Sequence, residues 1–217
     1  VGFISRKPAF LDLKEGLMKQ VVVRPERCVG CMQCMVACAV EHSSSKNLYE
    51  AVFEAPLPAP RVHVAYAPGG GGFPNRCRHC VPAPCVNACF PGALSRDKER
   101  DTVLVDDFKC IRCASCAMAC PFGVIRFHVS IQLPSKTVAQ KCDNCIQRIS
   151  VGKVPACVEA CKTKALIFED INIALQKRTQ EVARAISKEI REEVVISEAW
   201  STRLRFLSQY EGLRKVN

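Results

Sequence analysis

CVGCMQCMVAC, residues 28–38, and CIRCASCAMAC, residues 110–120, are one motif written twice, with the spacing CxxCxxCxxxC. Three thiols at intervals of three residues can meet on one tight loop, while the fourth is carried away from them on a following helical turn. That spacing suits a cubane iron-sulfur cluster, in which three thiolates bind three irons and the fourth reaches a neighbouring cluster. Two further groups complete the 16 Cys of the chain. Cys77, Cys80, Cys85 and Cys89 form one, and Cys142, Cys145, Cys157 and Cys161 the other; both open with CxxC and close with CxxxC around central gaps of different length. Their ends align too, PCVNACFPGAL (84–94) against ACVEACKTKAL (156–166). The order A, B, A′, B′ is that of a duplicated two-motif unit.

Short β-prone runs punctuate the motifs and predict how the groups pair. Ala93-Leu94, the polar turn Ser95 to Asp101 and Thr102 to Val105 read as a hairpin that ties group two to group three. Val21 to Val23, before group one, and Ala165 to Phe168, after group four, are left without local partners. Their pairing would bring group four back onto group one. The fold expected is therefore α+β, with two bacterial-ferredoxin-like dicluster lobes of short hairpins and helical turns and a mostly helical C-terminal arm. Its segments are an N-terminal extension 1–18, lobe one from 19–40 and 138–170, a connector 41–76, lobe two from 77–137 and the arm 171–217. Crossing the fourth thiol of each group gives four ligand sets. They are Cys28, Cys31, Cys34 with Cys161; Cys142, Cys145, Cys157 with Cys38; Cys77, Cys80, Cys85 with Cys120; and Cys110, Cys113, Cys116 with Cys89.

Other uses of so many cysteines fit less well. Disulfide frameworks belong to oxidising compartments, and residues 1–20 contain neither an apolar h-region nor a twin-arginine pair, so the reading is cytoplasmic. Structural zinc needs two CxxC hooks, not a third and fourth cysteine at fixed offsets in every group. No CxxC is followed by His, which excludes c-type haem attachment. No run reaches the roughly 20 apolar residues of a membrane span. The formal charge of +10 is a metal-free count. Each oxidised cubane with four thiolates carries about −2, so four of them leave the protein near about +2. A nucleic-acid role is disfavoured, because no recognised module or basic block with interleaved aromatics is present.

The aromatic content of 6% makes a large apolar core unexpected, so bound clusters must help hold the chain together. The connector, with Pro56, Pro58, Pro60, the strand-like run 61–67 and the glycines 69–72, reads as a surface loop or, more sharply, a docking element. Residues 171–209 have helical character, with Leu175, Val182, Ile186 and Ile190 at near-helical spacing. They suit a helix packed on its own lobe and a partner-binding arm equally. His79, between two cysteines, reads as a surface or hydrogen-bonding residue. Arg27, Arg78, Arg112 and Lys141 beside cysteines read as solvated charges, or else as cations that raise cluster potentials.

With its motifs placed, residues 19 to about 170 resemble the four-cluster ferredoxin-like subunits of anaerobic redox enzymes. These include the iron-sulfur subunits of formate dehydrogenases, formate hydrogenlyase, the dimethyl sulfoxide reductase group and tungsten aldehyde oxidoreductases. The wording CVGCMQCMVACAVEHS (28–43), FPNRCRHCVPAPCVNAC (73–89) and CPFGVIRF (120–127) is most similar to the iron-sulfur partner of nickel carbon monoxide dehydrogenase. The resemblance implies four [4Fe-4S] clusters, an oxygen-sensitive electron-transfer subunit without catalysis of its own, and the same crossed pairing of groups. It implies a catalytic partner, carbon monoxide dehydrogenase or a formate or aldehyde enzyme, and a downstream hydrogenase, ferredoxin or flavin reductase. An enzyme with an exposed cluster iron would need an incomplete ligand set, and 16 Cys fill four cubanes. A conducting filament built through the arm is the third reading.

Overall fold

Among the described residues eight short strands pair two by two, and each pairing is antiparallel. The computed structural model describes residues 19–66 and 71–193. It divides into two units, Val1–Ile171 and Asn172–Asn217.

In the first unit, β1 (Lys19–Val23) pairs with β8 (Leu166–Asp170), in the register Val21 to Phe168 and Val23 to Leu166. β4 (Leu94–Asp97) pairs with β5 (Thr102–Val105). β1–β8 is the pairing expected of the unpartnered β-prone runs and β4–β5 the expected hairpin, and β-branched residues at Val21, Val22, Val23, Thr102, Val103 and Val105 supply the local preference. Two more ribbons lie inside the repeat: β2 (His63–Tyr66) with β3 (Gly72–Asn75), and β6 (Arg126–Val129) with β7 (Thr137–Gln140). Helices follow the thiol loops: α1 (Gln33–Glu41) after group one, α3 (Pro84–Asn87) in group two, α4 (Ser115–Met118) in group three and α6 (Ala156–Glu159) in group four. The connector is not a plain loop. It carries α2 (Leu48–Ala51), capped by the Asn47 side chain on Tyr49 N–H, and the β2–β3 ribbon. Alternation along 61–67 signalled the first strand; its partner was obscured because β3 begins at a glycine and contains Pro74.

The element order β1, α1, β2, β3, α3, β4 returns as β5, α4, β6, β7, α6, β8, with α2 inserted in the first half and α5 (Ile146–Ser150) in the second. The duplication is thus structural, but the outer strands cross between halves. The apolar core follows the crossing. Leu94, Val103, Ile125 and Val138 pack with Cys110 and Cys116, while Val21, Val62 and Leu166 pack with Cys34, Cys38 and Cys157. A third, small contact of Cys77, Val124 and Cys142 lies between groups two and four. Among the described residues the largest fully buried side chain is Leu166, and no aromatic ring is fully buried.

In the second unit the described chain is the helix α7 (Ile171–Glu193). Leu175, Val182 and Ile186 on it are all exposed. The rest of the expected helix, the Val194 to Ile196 stretch and the extension 1–18 lie outside the described residues.

Leu166 is 1% exposed, paired with Val23 of β1 and packed in the core with Cys34, Cys38 and Cys157. Leu166→Ala is expected to cost about 2–5 kcal/mol, read as a lower unfolding midpoint. Leu175→Ala, at a 60% exposed position, should stay within about 0.5 kcal/mol of the parent.

Candidate metal centre

The loop-then-helix motifs bring the thiols together in fours. The Cys34 thiol interacts electrostatically with those of Cys161, Cys28 and Cys31, and Cys116 with those of Cys89, Cys110 and Cys113. Cys157 does so with Cys142, Cys38 and Cys145, and Cys85 with Cys77 and Cys120. Cys77, Cys80, Cys85 and Cys120 line one cavity, and Cys89, Cys110, Cys113 and Cys116 another. Each foursome takes three thiols from one motif and one from another. Burial, with neighbouring thiols and, at Cys145, the Asp143 carboxylate, pushes the acidity down: Cys34 and Cys116 rise to about 11, Cys38 and Cys145 to about 12. Without metal these four thiols are protonated at neutral pH, and a cation that replaces the protons would be needed to hold thiolates so close together.

The backbone is bent around these foursomes at matching places. Gly30 and Arg112, the residues before the second cysteine of groups one and three, have φ of 71° and 58°. Met32 and Ala114, just after it, have φ of 59° and 65° and begin α1 and α4. His79 and Asn144, two residues after the first cysteine of groups two and four, have φ of 51° and 60°. Left-handed backbone at non-glycine residues costs roughly 1–2 kcal/mol each. Its recurrence turns N–H groups toward sulfur: His79 N–H to Cys77 Sγ, Asn144 N–H to Cys142 Sγ, Leu94 N–H to Cys89 Sγ and Leu166 N–H to Cys161 Sγ, all at 3.4 Å. Ala139 of β7 donates to Cys110 Sγ at 3.4 Å, and Arg61 N–H to Cys38 Sγ at 3.3 Å. Donors of this kind stabilise thiolate and lower the charge that a bound cluster must carry alone.

Side chains complete the surroundings. Asp143 accepts from Arg61 Nη1 at 2.7 Å, from His42 Nε2 at 3.1 Å and from Cys145 N–H at 2.9 Å. Burial works against its charge, but His42 and Arg61 hold its carboxyl below the usual range. His42 in turn donates from Nδ1 to the Cys38 carbonyl at 2.7 Å, so one network joins the end of α1 to the loop of group four. Asp143, His42 and Cys145 could together face one ion, but Cys145 belongs to a thiol foursome and the other two are already paired.

His79 is not a surface residue. It is buried, its Nδ1 accepts from Val103 N–H at 3.1 Å, and burial with the charges of Lys141 and Arg76 depresses its pKa to about 2. It is therefore neutral, with its proton on Nε2. Arg27 and Arg112 are exposed, as solvated charges should be. Lys141 is buried instead, and Arg78 is half-buried with its guanidinium 4.3 Å from the Phe122 ring centre. Arg76, buried and touching Cys142 Sγ at 3.7 Å, escaped the sequence reading. Its signal was its position: it precedes Cys77 as Lys141 precedes Cys142.

Among the described residues, the buried Nε2 of His79 and Nε of Arg76 have no hydrogen-bond partner. Both stand beside thiol foursomes, where a cluster's sulfur atoms would be acceptors, so the residues present fit iron-sulfur clusters. The β2–β3 ribbon sets the closest approach. Gly72 N–H donates to the Cys28 carbonyl at 3.0 Å, and a Cβ at Gly72 would lie 2.8 Å from Cys28 Sγ and 3.0 Å from Gly30 Cα. Gly72→Ala is therefore expected to push Cys28 out of its foursome and lower bound iron by up to about four atoms per chain, as measured by chelator assay.

The chain matches the model of the 4Fe-4S dicluster domain over residues 71–171. It is 38% identical over 184 residues to an iron-sulfur protein of Rhodospirillum rubrum, a match covering 80% of this chain and 94% of that protein. It is 35% identical over 162 residues to the electron transport protein HydN of Escherichia coli (strain K12), covering 70% of this chain and 88% of the relative. To the protein NrfC homolog of Haemophilus influenzae it is 34% identical over 177 residues, 77% of this chain and 68% of the relative. No helix among the described residues is long and apolar enough to cross a membrane. With the thiol foursomes and this extent of shared sequence, the chain belongs to the ferredoxin-like family of iron-sulfur electron-transfer proteins built on the 4Fe-4S dicluster domain.

Proposed function

We propose that this chain holds four [4Fe-4S] clusters and carries electrons between a catalytic oxidoreductase and a second redox protein, with no substrate chemistry of its own. The observation that carries the reading is the crossing of thiols, three from one motif and one from another in every foursome. The ligand sets are Cys28, Cys31, Cys34 and Cys161; Cys38, Cys142, Cys145 and Cys157; Cys77, Cys80, Cys85 and Cys120; and Cys89, Cys110, Cys113 and Cys116. The first two sets make one dicluster lobe, held by β1–β8, and the last two the other, held by β4–β5. When bound, the clusters supply one-electron transfer.

What the protein does is hold them in order and cover them unequally. The contact of Cys77 with Cys142 sets the second and third sets side by side as the inner pair. Cys31 and Cys113 are exposed, one in each remaining set, and these mark the two ends of the route. Exposed apolar side chains flank them, Val29 beside Cys31 and Phe108 with Ile111 beside Cys113, as suits surfaces that meet transient partners. The exposed Leu175, Val182 and Ile186 of α7 suit an arm that binds a partner subunit.

The wording of the first two motifs and of residues 120–127 favours carbon monoxide dehydrogenase as the catalytic partner, with a hydrogenase, ferredoxin or flavin reductase at the other end, in an anaerobic cytoplasm. Anaerobic co-purification from the native host, with identification of the bound subunit and its metal, tests this. Nickel supports the reading; molybdenum or tungsten would replace it with a formate or aldehyde enzyme.

The crossed ligand sets have their own test in iron stoichiometry. The parent should bind about 16 iron atoms per chain, and Cys89→Ser and Cys113→Ser should each lose up to about four. Because both belong to one set, the double variant should lose no more than either single one. Cys85→Ser with Cys89→Ser, neighbours in one motif but in different sets, should lose up to about eight. Losses that followed the motif instead of the set would overturn the assignment.

A further inference from the structure

Two cations are buried at the contact between groups two and four. Arg76 and Lys141 are each 3% exposed, and neither forms a salt bridge with a carboxylate among the described residues. An unpaired buried charge is strongly unfavourable unless something close by compensates it. Arg76 donates from Nη1 to the Val21 carbonyl at 2.6 Å and from Nη2 to Asn144 Oδ1 at 3.2 Å, which fixes the guanidinium but does not neutralise it. Lys141 Nζ donates to the carbonyls of Val103 and Cys142.

Their charges reach across the duplication. Arg76 precedes the first cysteine of group two, yet its Nη2 lies 3.7 Å from the Cys142 Sγ of group four, and its charge also acts on Cys157. Lys141 precedes the first cysteine of group four, yet it lines the same cavity as Cys77, Cys80 and Cys85 of group two, and its charge acts on Cys77 and Cys85. Each half of the repeat thus supplies the cation for the other half's thiols.

We propose that Arg76 and Lys141 are reciprocal potential-setting residues of the inner cluster pair, each raising the reduction potential of the cluster held by the opposite group. The proposal rests on the cluster assignment above. Reduction adds a negative charge to a cluster, and a fixed cation within a few ångströms, screened little by water, favours that added charge. Acting from both sides, the two cations keep the inner clusters matched to each other, so that neither becomes a sink or a barrier for the electron between them.

The test is an EPR-monitored redox titration of the holo protein, with iron per chain measured on each sample. Arg76→Gln is expected to lower the reduction equilibrium constant of the cluster on Cys38, Cys142, Cys145 and Cys157 by about tenfold, a shift of about 59 mV for one electron. Lys141→Met should do the same to the cluster on Cys77, Cys80, Cys85 and Cys120. The outer clusters should stay within a small fraction of that shift, and Arg76→Lys and Lys141→Arg should restore most of it. Full iron with unchanged inner potentials, or an equal shift of all four clusters, overturns the proposal. If the neutral variants lose the inner clusters while the charge-keeping ones retain them, the requirement for charge supports it; loss in both kinds reduces the residues to packing and overturns it. Iron well below four clusters in the parent would instead remove the cluster assignment, a failure visible before any variant is made.

Discussion

A two-stranded ribbon does not hold itself together in water, and the described residues of the first unit are organised around four of them. Their short side chains, such as Val21, Thr102, Val103 and Val138, join a core whose largest fully buried residue, among those described, is a leucine. Such a core cannot easily offset the entropy of ordering so long a chain. The convergence of the cysteines is the constraint that resolves this. Thiols from sequence-distant motifs meet in foursomes, and an iron-sulfur cluster bound there cross-links those segments with bonds far stronger than the packing around them. Cofactor binding and folding are in this sense one process. The strained residues at equivalent motif positions belong to it too, because backbone that wraps a cluster must leave the helical and extended regions to point its N–H groups inward.

Duplication with exchange of the outer strands gives the molecule its continuity. Had each half paired its own first and last strands, two independent units would have met across an ordinary surface. Instead β1 joins β8 and β4 joins β5, so each buried core draws on both halves of the chain. The exchange extends to the thiols, three from one motif and one from another, and to the buried cations, each lying against thiols of the opposite group. One topological fact accounts for all three.

The charge of the protein divides along the same line. The formal +10 includes exposed residues such as Arg27 and Arg112, which water screens. Arg76 and Lys141 contribute two of those charges but sit where screening is weak, so they act on their surroundings far more strongly than the surface residues do. Composition counts these charges equally, although water screens the exposed ones far more.

Much of this protein was legible in its sequence because cysteine spacing and strand propensity are local properties. The motifs at 28–38 and 110–120 specified the loops and helical turns, and the unpartnered runs at Val21 and Ala165 specified the long-range pairing, since a strand edge must be satisfied somewhere. The Asn47 cap and the ribbon that places Gly72 over Cys28 were hidden in a segment whose prolines and glycines read as a loop. Whether His79 was a surface or a hydrogen-bonding residue, and Lys141 a solvated or a potential-raising charge, stayed open in the sequence because burial depends on what packs over a position and leaves no local trace. Asp143 acquires its role only from Arg61 and His42, brought to it across 82 and 101 residues. The sequence by itself determined which cysteines could bind metal and how they are spaced along the chain. Only the tertiary structure decided which charges lie beside them in a low dielectric, because an electrostatic environment is a property of distances that no single segment contains.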